Sequence, residues 1–338
     1  GLEQHSGLTG EGLGNPPNTS GIIPTSSQPP SSCSIDESYK YVFLPVCYSL
    51  TFLFSLTLNS VVLSGGGRRW NTSLIYMVNL ATTDLMYGLS LPFLVASYML
   101  RDRWVFGDFM CRLVRFLFYF NLYCSIFFLT CISVHRYLGI CHPMRTITLE
   151  SKRVVKGTCA LVWVVVFILT CPIFRFAQTG YDQEGYMNCW DDAIDKEFAD
   201  YVPYGIVLHL LGFFVPFVII AWCYSQVVRT IFQTLRRRKS IKTILTITLL
   251  FALCFLPFHV TRTLFLLLRR GQLGGCNAMK TVSICYKVTR PLASCNAWLN
   301  ALLYFLTGDK GAPCSSDAAD YTVKPFYYLT LILSFIFY

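Results

Sequence analysis

The sequence has few charged residues for its length. Only 14% of its 338 residues are Asp, Glu, Lys or Arg, whereas a soluble globular chain has about 25%. Hydrophobic residues make up 54%, and the mean hydropathy is +0.49. This composition excludes disordered, collagen-like and ordinary soluble enzyme chains. The net charge of +10 is more typical of the cytoplasmic loops of a membrane protein than of a nucleic-acid-binding protein.

Enzyme motifs are also missing from the sequence. There is no metal-ligand His/Cys spacing, no phosphate-binding loop and no pair of carboxylates facing a base, so we expect a protein that is not an enzyme and binds no catalytic metal. No basic segment followed by an apolar core stands at the start, so no classical signal peptide is expected. The fifteen cysteines are an odd number, which leaves at least one thiol free or paired outside the chain.

Long apolar runs fill most of the chain. They lie near 41–63, 73–100, 112–138, 155–178, 201–233, 240–268 and 279–307. Each is at least as long as the ~20 residues that cross a bilayer as a helix, and too long for the ~10-residue strands of a membrane barrel. We therefore predict an all-α membrane protein, a seven-transmembrane helix bundle.

Two segments flank the predicted bundle domain, residues 39–310. Residues 1–38 are rich in Gly, Pro, Ser and Thr and are predicted to be a disordered extracellular tail. Residues 311–338 form an atypical cytoplasmic tail that ends in an apolar run, which is shorter than the ~20 residues needed to span a bilayer.

The distribution of charge predicts the orientation of the bundle. Cations concentrate after the first, third and fifth apolar runs, including the run 236–239, whereas acids concentrate in 182–200. The positive-inside rule then places the amino terminus outside and the carboxyl terminus inside. Asn18, in an Asn-Thr-Ser sequence, is thereby an expected outside glycosylation site.

Four cysteines fall in outside segments of this topology, where disulfides persist. They are Cys33, Cys111, Cys189 and Cys276. Four cysteines allow three pairings, and their spacing leaves the connectivity open.

Short motifs stand in order along the seven runs. They are Asn59, Leu80–Asp84, His135-Arg136-Tyr137, Trp163, Pro216, Tyr224 and Phe251–Pro257. Together they resemble the landmarks of class A, rhodopsin-like G-protein-coupled receptors. Longer strings, 113–119, 131–137, 255–263 and 286–294, resemble the metabotropic purinergic receptors, which answer extracellular ATP, UTP or UDP. His135, in place of the usual acidic residue, is similar to that group.

The resemblance implies a multi-pass receptor of the plasma membrane. Its ligand would be a nucleotide of the UTP, ATP or UDP type, and its partner a heterotrimeric G protein, of the Gq class that acts through phospholipase C and calcium. It also implies disulfides that join Cys111 to Cys189 and Cys33 to Cys276.

Cations inside the apolar runs independently suggest an anionic ligand. They are Arg115, His259, Arg262 and Arg290. Cations in a membrane usually face a cavity or a partner, and no acid in the outer halves of the runs is available to neutralise them. Arginine forks match phosphate oxygens. Snorkelling of Arg115 and Arg262 towards the surface is the alternative.

Aromatic residues beside these cations offer faces on which a nucleotide base can stack. They are Phe118, Tyr119 and Tyr123.

A polar set deeper in the bundle resembles the sodium-binding cluster of the family. It consists of Asp84, Ser125, Asn296 and Asn300. An allosteric sodium ion is therefore expected, and hydrogen bonding between helices alone is the alternative.

Other residues resemble the cytoplasmic latch that opens for the G protein. Within the family pattern, Arg136 acts with Tyr224 and Tyr304. His135, Tyr137 and Asn300 belong to the same predicted set. The basic run 236–239 suits either a G-protein contact or anionic membrane lipid.

The sequence departs from the family pattern at three places. Ala301 stands where relatives have proline, which predicts a straighter seventh helix. Gly65–Gly67 is expected to shorten the first helix. Residues 311–338 replace the amphipathic helix of the family. A signalling-defective receptor is therefore one alternative function, and a lipid or peptide receptor of the same superfamily is another. A retinal pigment is disfavoured because no lysine lies deep in the seventh run.

Overall fold

The structure is a computed structural model. It describes residues 38, 40–64, 71–181, 185–190, 198–233, 238–271 and 275–307. Consequently, several predicted features lie outside the described residues: Asn18, Cys33, Gly65–Gly67, the acidic part of 182–200, most of the basic run 236–239, and both tails. The orientation of the bundle stays a prediction.

The described part of the chain is mainly α-helical. Its helices are α1 (Lys40–Ser64), α2 (Thr72–Met99), α3 (Gly107–Cys141), α4 (Pro143–Leu149), α5 (Lys152–Thr170), α6 (Ile173–Phe176), α7 (Phe198–His209), α8 (Val215–Gln233), α9 (Arg238–Leu250), α10 (Leu256–Gly271), α11 (Cys276–Ser294), α12 (Asn296–Leu299) and α13 (Ala301–Thr307). A π-helical turn, Leu210–Phe214, joins α7 to α8, and a second one, Phe251–Phe255, joins α9 to α10.

Six segments of the described chain are long and apolar enough to cross a membrane. They are Lys40–Ser64, Thr72–Met99, Gly107–Cys141, Lys152–Phe176, Phe198–Thr230 and Lys242–Gly271. They coincide with the first six predicted runs to within a few residues, except that the fourth helix ends at Thr170 and the chain from Gln178 onwards is a strand. The seventh run contains Lys280, Lys287 and Arg290 and is divided into three helices.

Local sequence explains where several helices begin. The side chain of Asn71 accepts a hydrogen bond from the amide of Leu74 at 2.8 Å and caps α2. Ser151 caps α5 in the same way through the amide of Val154. Such side chains satisfy one of the amides that a helix leaves without a partner at its first turn.

The helix α3 lies at the centre of the bundle. In its most apolar window 72% of the residues are buried, compared with 28% in α1. It contacts α2, α5 and α8 as well as the hairpin at its outer end. Side chains of α3 are therefore well placed to meet those of several other helices.

A two-stranded antiparallel hairpin covers the outer end of α3. Its strands are β1 (Gln178–Tyr181) and β2 (Met187–Trp190), and Thr179 pairs with Cys189. A disulfide joins Cys189 to Cys111, so this expected pair is confirmed. Cys276 is also disulfide-bonded, but Cys33 lies outside the described residues, and that pairing stays a prediction.

The seventh run is divided, and the expectation that it runs straighter than in relatives stays a prediction. The run is interrupted at Cys295 and at Asn300, between α11, α12 and α13. Proline at 291 supplies no amide hydrogen for a helical bond, and the amide of Cys295 is shared between the carbonyls of Pro291 and Leu292. The break therefore arises without a proline after Asn300.

Candidate functional site

Three arginines of the predicted ligand site are buried in the bundle. Arg115 on α3, Arg262 on α10 and Arg290 on α11 are 7%, 0% and 8% exposed, respectively. Their guanidinium groups therefore do not reach the surface, so the snorkelling alternative is wrong for Arg115 and Arg262. A buried charge that has no access to water needs well-placed hydrogen-bond or ion-pair partners to offset the cost of its desolvation.

Arg115 lacks some of the partners that burial requires. Its Nη2 donates to the carbonyl of Cys189 at 3.1 Å. Its Nε and Nη1 are buried and have no hydrogen-bond partner among the described residues. A buried donor without an acceptor costs about 1–3 kcal/mol, and a group of this kind in a native protein requires an explanation, such as a bound water or ion or a role in function.

Arg290 lies against an aromatic ring. Its Cζ is 5.0 Å from the ring centroid of Phe118, a cation–π distance. The contact of Arg290 with Phe118 thus links α11 to α3.

The predicted stacking residues pack against one another. Phe118 meets Tyr119 edge to face at 5.0 Å, and Tyr119 stacks on Tyr123 at 6.5 Å. All three rings are 3% exposed or less. A nucleotide base would reach them only after the rings or the helices move.

His259 is placed differently from the arginines. Its Nδ1 lies 2.7 Å from the carbonyl of Phe255, to which it donates, and its Nε2 is 3.1 Å from the hydroxyl of Tyr123. The ring stacks on Phe213 at 4.2 Å. Both nitrogens are engaged with neutral groups, which suits a neutral imidazole in the core better than a phosphate-binding cation.

A glycine makes room for this arrangement. A Cβ atom at Gly212 would lie 2.5 Å from the ring of Tyr123, a distance at which the ring would have to shift. Gly212 belongs to the π-helical turn between α7 and α8. The turn therefore positions Tyr123, and through it His259.

Arg262 contacts two tyrosines that were not among the predicted ligand residues. Its guanidinium donates to the hydroxyls of Tyr201 on α7 and Tyr286 on α11. Tyr286 precedes Arg290 by four residues and so shares its helix face, a signal that was available. No local signal in the sequence pointed to Tyr201.

The predicted polar cluster surrounds Asp84. This carboxylate is fully buried and accepts hydrogen bonds from Asn121 at 2.6 Å, Asn300 at 3.2 Å and Ser125 at 3.5 Å. Ser125 also donates to Asn296 at 3.0 Å. The structure brings together all four predicted residues and adds Asn121, which lies one helical turn before Ser125.

The cluster has the chemistry of a site for a hard cation. Such ions prefer oxygen ligands, and Asp84 and Ser125 supply oxygens within one cluster. Among the described residues, the side-chain oxygens of Asn121 and Asn300 are buried without a donor. The residues therefore fit a small cation such as sodium.

The cytoplasmic end holds Arg136 in an unexpected place. Its Nη2 donates to the hydroxyl of Ser73 on α2 at 3.2 Å. Tyr224 bonds Ser133 at 2.8 Å. The structure thus shows a contact from Arg136 to α2, which no motif in the sequence indicated.

The neighbours of Arg136 have separate partners. His135 lies 3.6 Å from the carboxylate of Glu150, and the hydroxyl of Tyr137 lies 3.2 Å from His142. Tyr304 packs its ring against Phe305. His135, Arg136 and Glu150 line a cleft between α3 and α4.

Comparisons with known proteins agree with this architecture. The family model "7 transmembrane receptor (rhodopsin family)" matches residues 56–304. The chain is 40% identical to purinoceptor subtype 3 of Meleagris gallopavo, over 83% of this chain and 89% of that protein. It is 41% identical to the human purinoceptor subtypes 4 and 2, over 85% of this chain and 81% and 78% of those proteins.

Proposed function

We propose a nucleotide-receptor function for this chain, which belongs to the rhodopsin family of seven-transmembrane receptors. The relatives that it matches are named purinoceptors. On this basis the chain is a nucleotide-activated, G-protein-coupled receptor of the plasma membrane and not an enzyme. The observation that carries the proposal is the buried guanidinium of Arg115, two of whose nitrogens lack acceptors among the described residues.

The three arginines suit the phosphate chain of a nucleotide. Arg115, Arg262 and Arg290 lie on three different helices, α3, α10 and α11. Arginine binds phosphate through two parallel hydrogen bonds in a planar fork. A polyphosphate between the helices would supply the missing acceptors, and the base would lie near Phe118, Tyr119 and Tyr123.

Binding at this place would couple the ligand to the cytoplasmic end. A phosphate chain that joins α3 to α10 and α11 changes the relative stability of helix arrangements, which is how a ligand shifts a conformational equilibrium. The helix α10 continues into α9 through the π-helical turn Phe251–Phe255. Movement of α9 would open the cytoplasmic face near Arg136 for the G protein.

The test is calcium release in transfected cells, titrated separately with UTP, ATP, UDP and ADP. We expect a response to at least one of them. Arg290→Ala should right-shift that response by about tenfold to a hundredfold, because a charge-assisted hydrogen bond contributes about 1.5–3 kcal/mol. Arg270→Ala removes an exposed arginine of α10 and serves as the matched control, with unchanged potency.

Other outcomes favour the alternative functions. Unchanged potency in Arg290→Ala would contradict the phosphate site, and absence of a response to all four nucleotides would favour a lipid or peptide ligand. Nucleotide binding to membranes without any calcium release would favour a signalling-defective receptor.

We also propose that the G protein is of the Gq class and acts through phospholipase C. The support is the resemblance of the motifs to the receptors that respond to UTP, ATP and UDP. An inhibitor of phospholipase C should then abolish the calcium response to the nucleotide. A response that persists would contradict this pathway while leaving the nucleotide site intact.

A sodium ion at Asp84 is a further part of the proposal. Such an ion would neutralise the buried carboxylate, and Ser125, Asn296 and Asn300 would complete its oxygen shell. We expect nucleotide affinity to fall as sodium replaces potassium at constant ionic strength. In Asp84→Asn the affinity should become insensitive to sodium, and an equal sodium effect in both proteins would contradict the site.

A further inference from the structure

The guanidinium of Arg262 is held between two phenols from different helices. Its Nη1 donates to the hydroxyl of Tyr286 on α11 at 2.8 Å, and its Nη2 donates to the hydroxyl of Tyr201 on α7. The two rings also flank the charge, since Cζ lies 4.9 Å from the centroid of Tyr286 and 5.5 Å from that of Tyr201. Arg262 is fully buried.

We propose that Tyr201, Arg262 and Tyr286 form a clasp that is closed in the resting receptor and opened by the anionic ligand. The inference rests on the proposed nucleotide site and assigns a regulatory role to the two phenols. In it, Tyr201 and Tyr286 do not bind the phosphate. They compete with it for the guanidinium.

The competition follows from the atoms that are used. A phosphate engages arginine through the terminal nitrogens of its fork, and in the closed clasp Nη1 and Nη2 donate to Tyr286 and Tyr201. Full burial of Arg262 also means that no ligand reaches it without displacing a neighbour. The phosphate is the stronger acceptor, since it carries a negative charge and can accept two parallel hydrogen bonds from the guanidinium fork, whereas each phenol is neutral and accepts one.

The clasp joins three helices near one end of the bundle. Tyr201 lies on α7, Arg262 on α10 and Tyr286 on α11. Exchange of the two phenols for a phosphate therefore removes one hydrogen bond between α10 and α7 and one between α10 and α11. This is a difference in contacts between the bound and the resting states, which any ligand-driven shift of conformation requires.

Removal of one hydroxyl at a time tests the clasp. Tyr286→Phe should keep its ring in place, since the ring stacks on Phe265 at 5.4 Å. Tyr201→Phe should do the same, since its ring meets Phe176 at 5.3 Å. Each variant loses one competitor of the phosphate, so nucleotide affinity should rise by about twofold to tenfold.

The measurement is competition binding on membranes with the most potent of UTP, ATP, UDP and ADP, normalised to surface expression. Tyr204→Phe is the matched control, because this tyrosine lies on the same helix as Tyr201 and donates to the carbonyl of Leu169 instead. Its affinity should remain that of the wild type. In an Arg262→Ala background, Tyr286→Phe should have no effect, which a merely structural role of the phenol would not produce.

Four results would overturn the inference. Unchanged nucleotide affinity in both Tyr→Phe variants would contradict the competition. Reduced nucleotide affinity would show that the phenols position Arg262 for the ligand. An equal effect of Tyr286→Phe with and without Arg262 would make the phenol independent of the arginine. Absence of any nucleotide binding to the wild type would overturn the clasp together with the proposed function, whereas the other results leave that function standing.

Discussion

Asp84 and Arg115 are both buried charged side chains, on the neighbouring helices α2 and α3, but their surroundings differ. The carboxylate of Asp84 accepts hydrogen bonds from three residues of the bundle. The guanidinium of Arg115 donates to one carbonyl of the hairpin, and two of its nitrogens lack partners among the described residues. Both groups carry the desolvation cost of a buried charge, but among the described residues only Asp84 has partners that offset much of it.

This difference separates a structural charge from a recognition charge. Where the chain supplies the partners, as around Asp84, removal of the charge should first affect the stability of the bundle. Where partners are missing, as around Arg115, removal should first affect the binding of a ligand that brings them. Substitutions at Asp84, Arg115 and Ser73 test the distinction, from the largest expected effect to the smallest.

Asp84→Leu should have the largest effect on stability. Asn121 would lose the oxygen to which it donates, whereas Asn300 would keep Ser125 and Asn296 as acceptors. A buried donor without an acceptor costs about 1–3 kcal/mol. We expect the free energy of unfolding to fall by about 3 kcal/mol, measured as the thermal unfolding of the detergent-solubilised receptor. Asp84→Asn keeps an oxygen acceptor and is the control, with a much smaller loss. Equal stability of Asp84→Leu and wild type would contradict a structural role for this charge.

Much of the architecture could be predicted from the sequence, because the bilayer imposes strong constraints. An apolar run of membrane-crossing length has few solutions other than a helix. Five of the seven runs therefore agree with observed helices to within a few residues, and the helix of the fourth run ends earlier than predicted, at Thr170. The polar cluster could be predicted too, since Asp84, Ser125 and Asn300 lie in motifs with a known pattern. The interruption of the seventh run could not be predicted, because it depends on the hydrogen bonds around Cys295 and Asn300.

The candidate site was predictable in its residues but not in their partners. Charge and family resemblance selected Arg115, Arg262 and Arg290, but nothing in the chain's local pattern shows that Tyr201 would reach Arg262 across 61 positions. The contacts of His259 depend on Tyr123, which lies on another helix. Side-chain partners that are distant in sequence follow from helix packing, and short motifs do not encode them.

Arg115→Ala should have a moderate effect, and on binding more than on stability. The ligand would lose charge-assisted hydrogen bonds that contribute about 1.5–3 kcal/mol, so nucleotide potency should fall by about tenfold to a hundredfold. Arg115→Lys keeps the charge but loses the planar fork, so the potency of the nucleotide on this variant should lie between its potencies on the wild type and on Arg115→Ala. Thermal unfolding should change far less than in Asp84→Leu. A large loss of stability in Arg115→Ala with unchanged nucleotide potency would show that Arg115 is a structural charge and would contradict its role in recognition.

Ser73→Ala should have the smallest effect, and it extends the comparison to a third cation. Arg136 is half-buried, and its Nη2 donates to a neutral hydroxyl of the neighbouring helix, that of Ser73. A hydrogen bond of this kind contributes about 0.5–1.5 kcal/mol, and in the resting state it holds α3 to α2. Its loss should raise G-protein activation without nucleotide by about twofold to tenfold. Ser90→Ala, on the same helix, removes a hydroxyl that donates within α2 and should leave basal activity unchanged. If Ser73→Ala and Ser90→Ala have the same basal activity, the contact between Arg136 and Ser73 does not restrain the receptor.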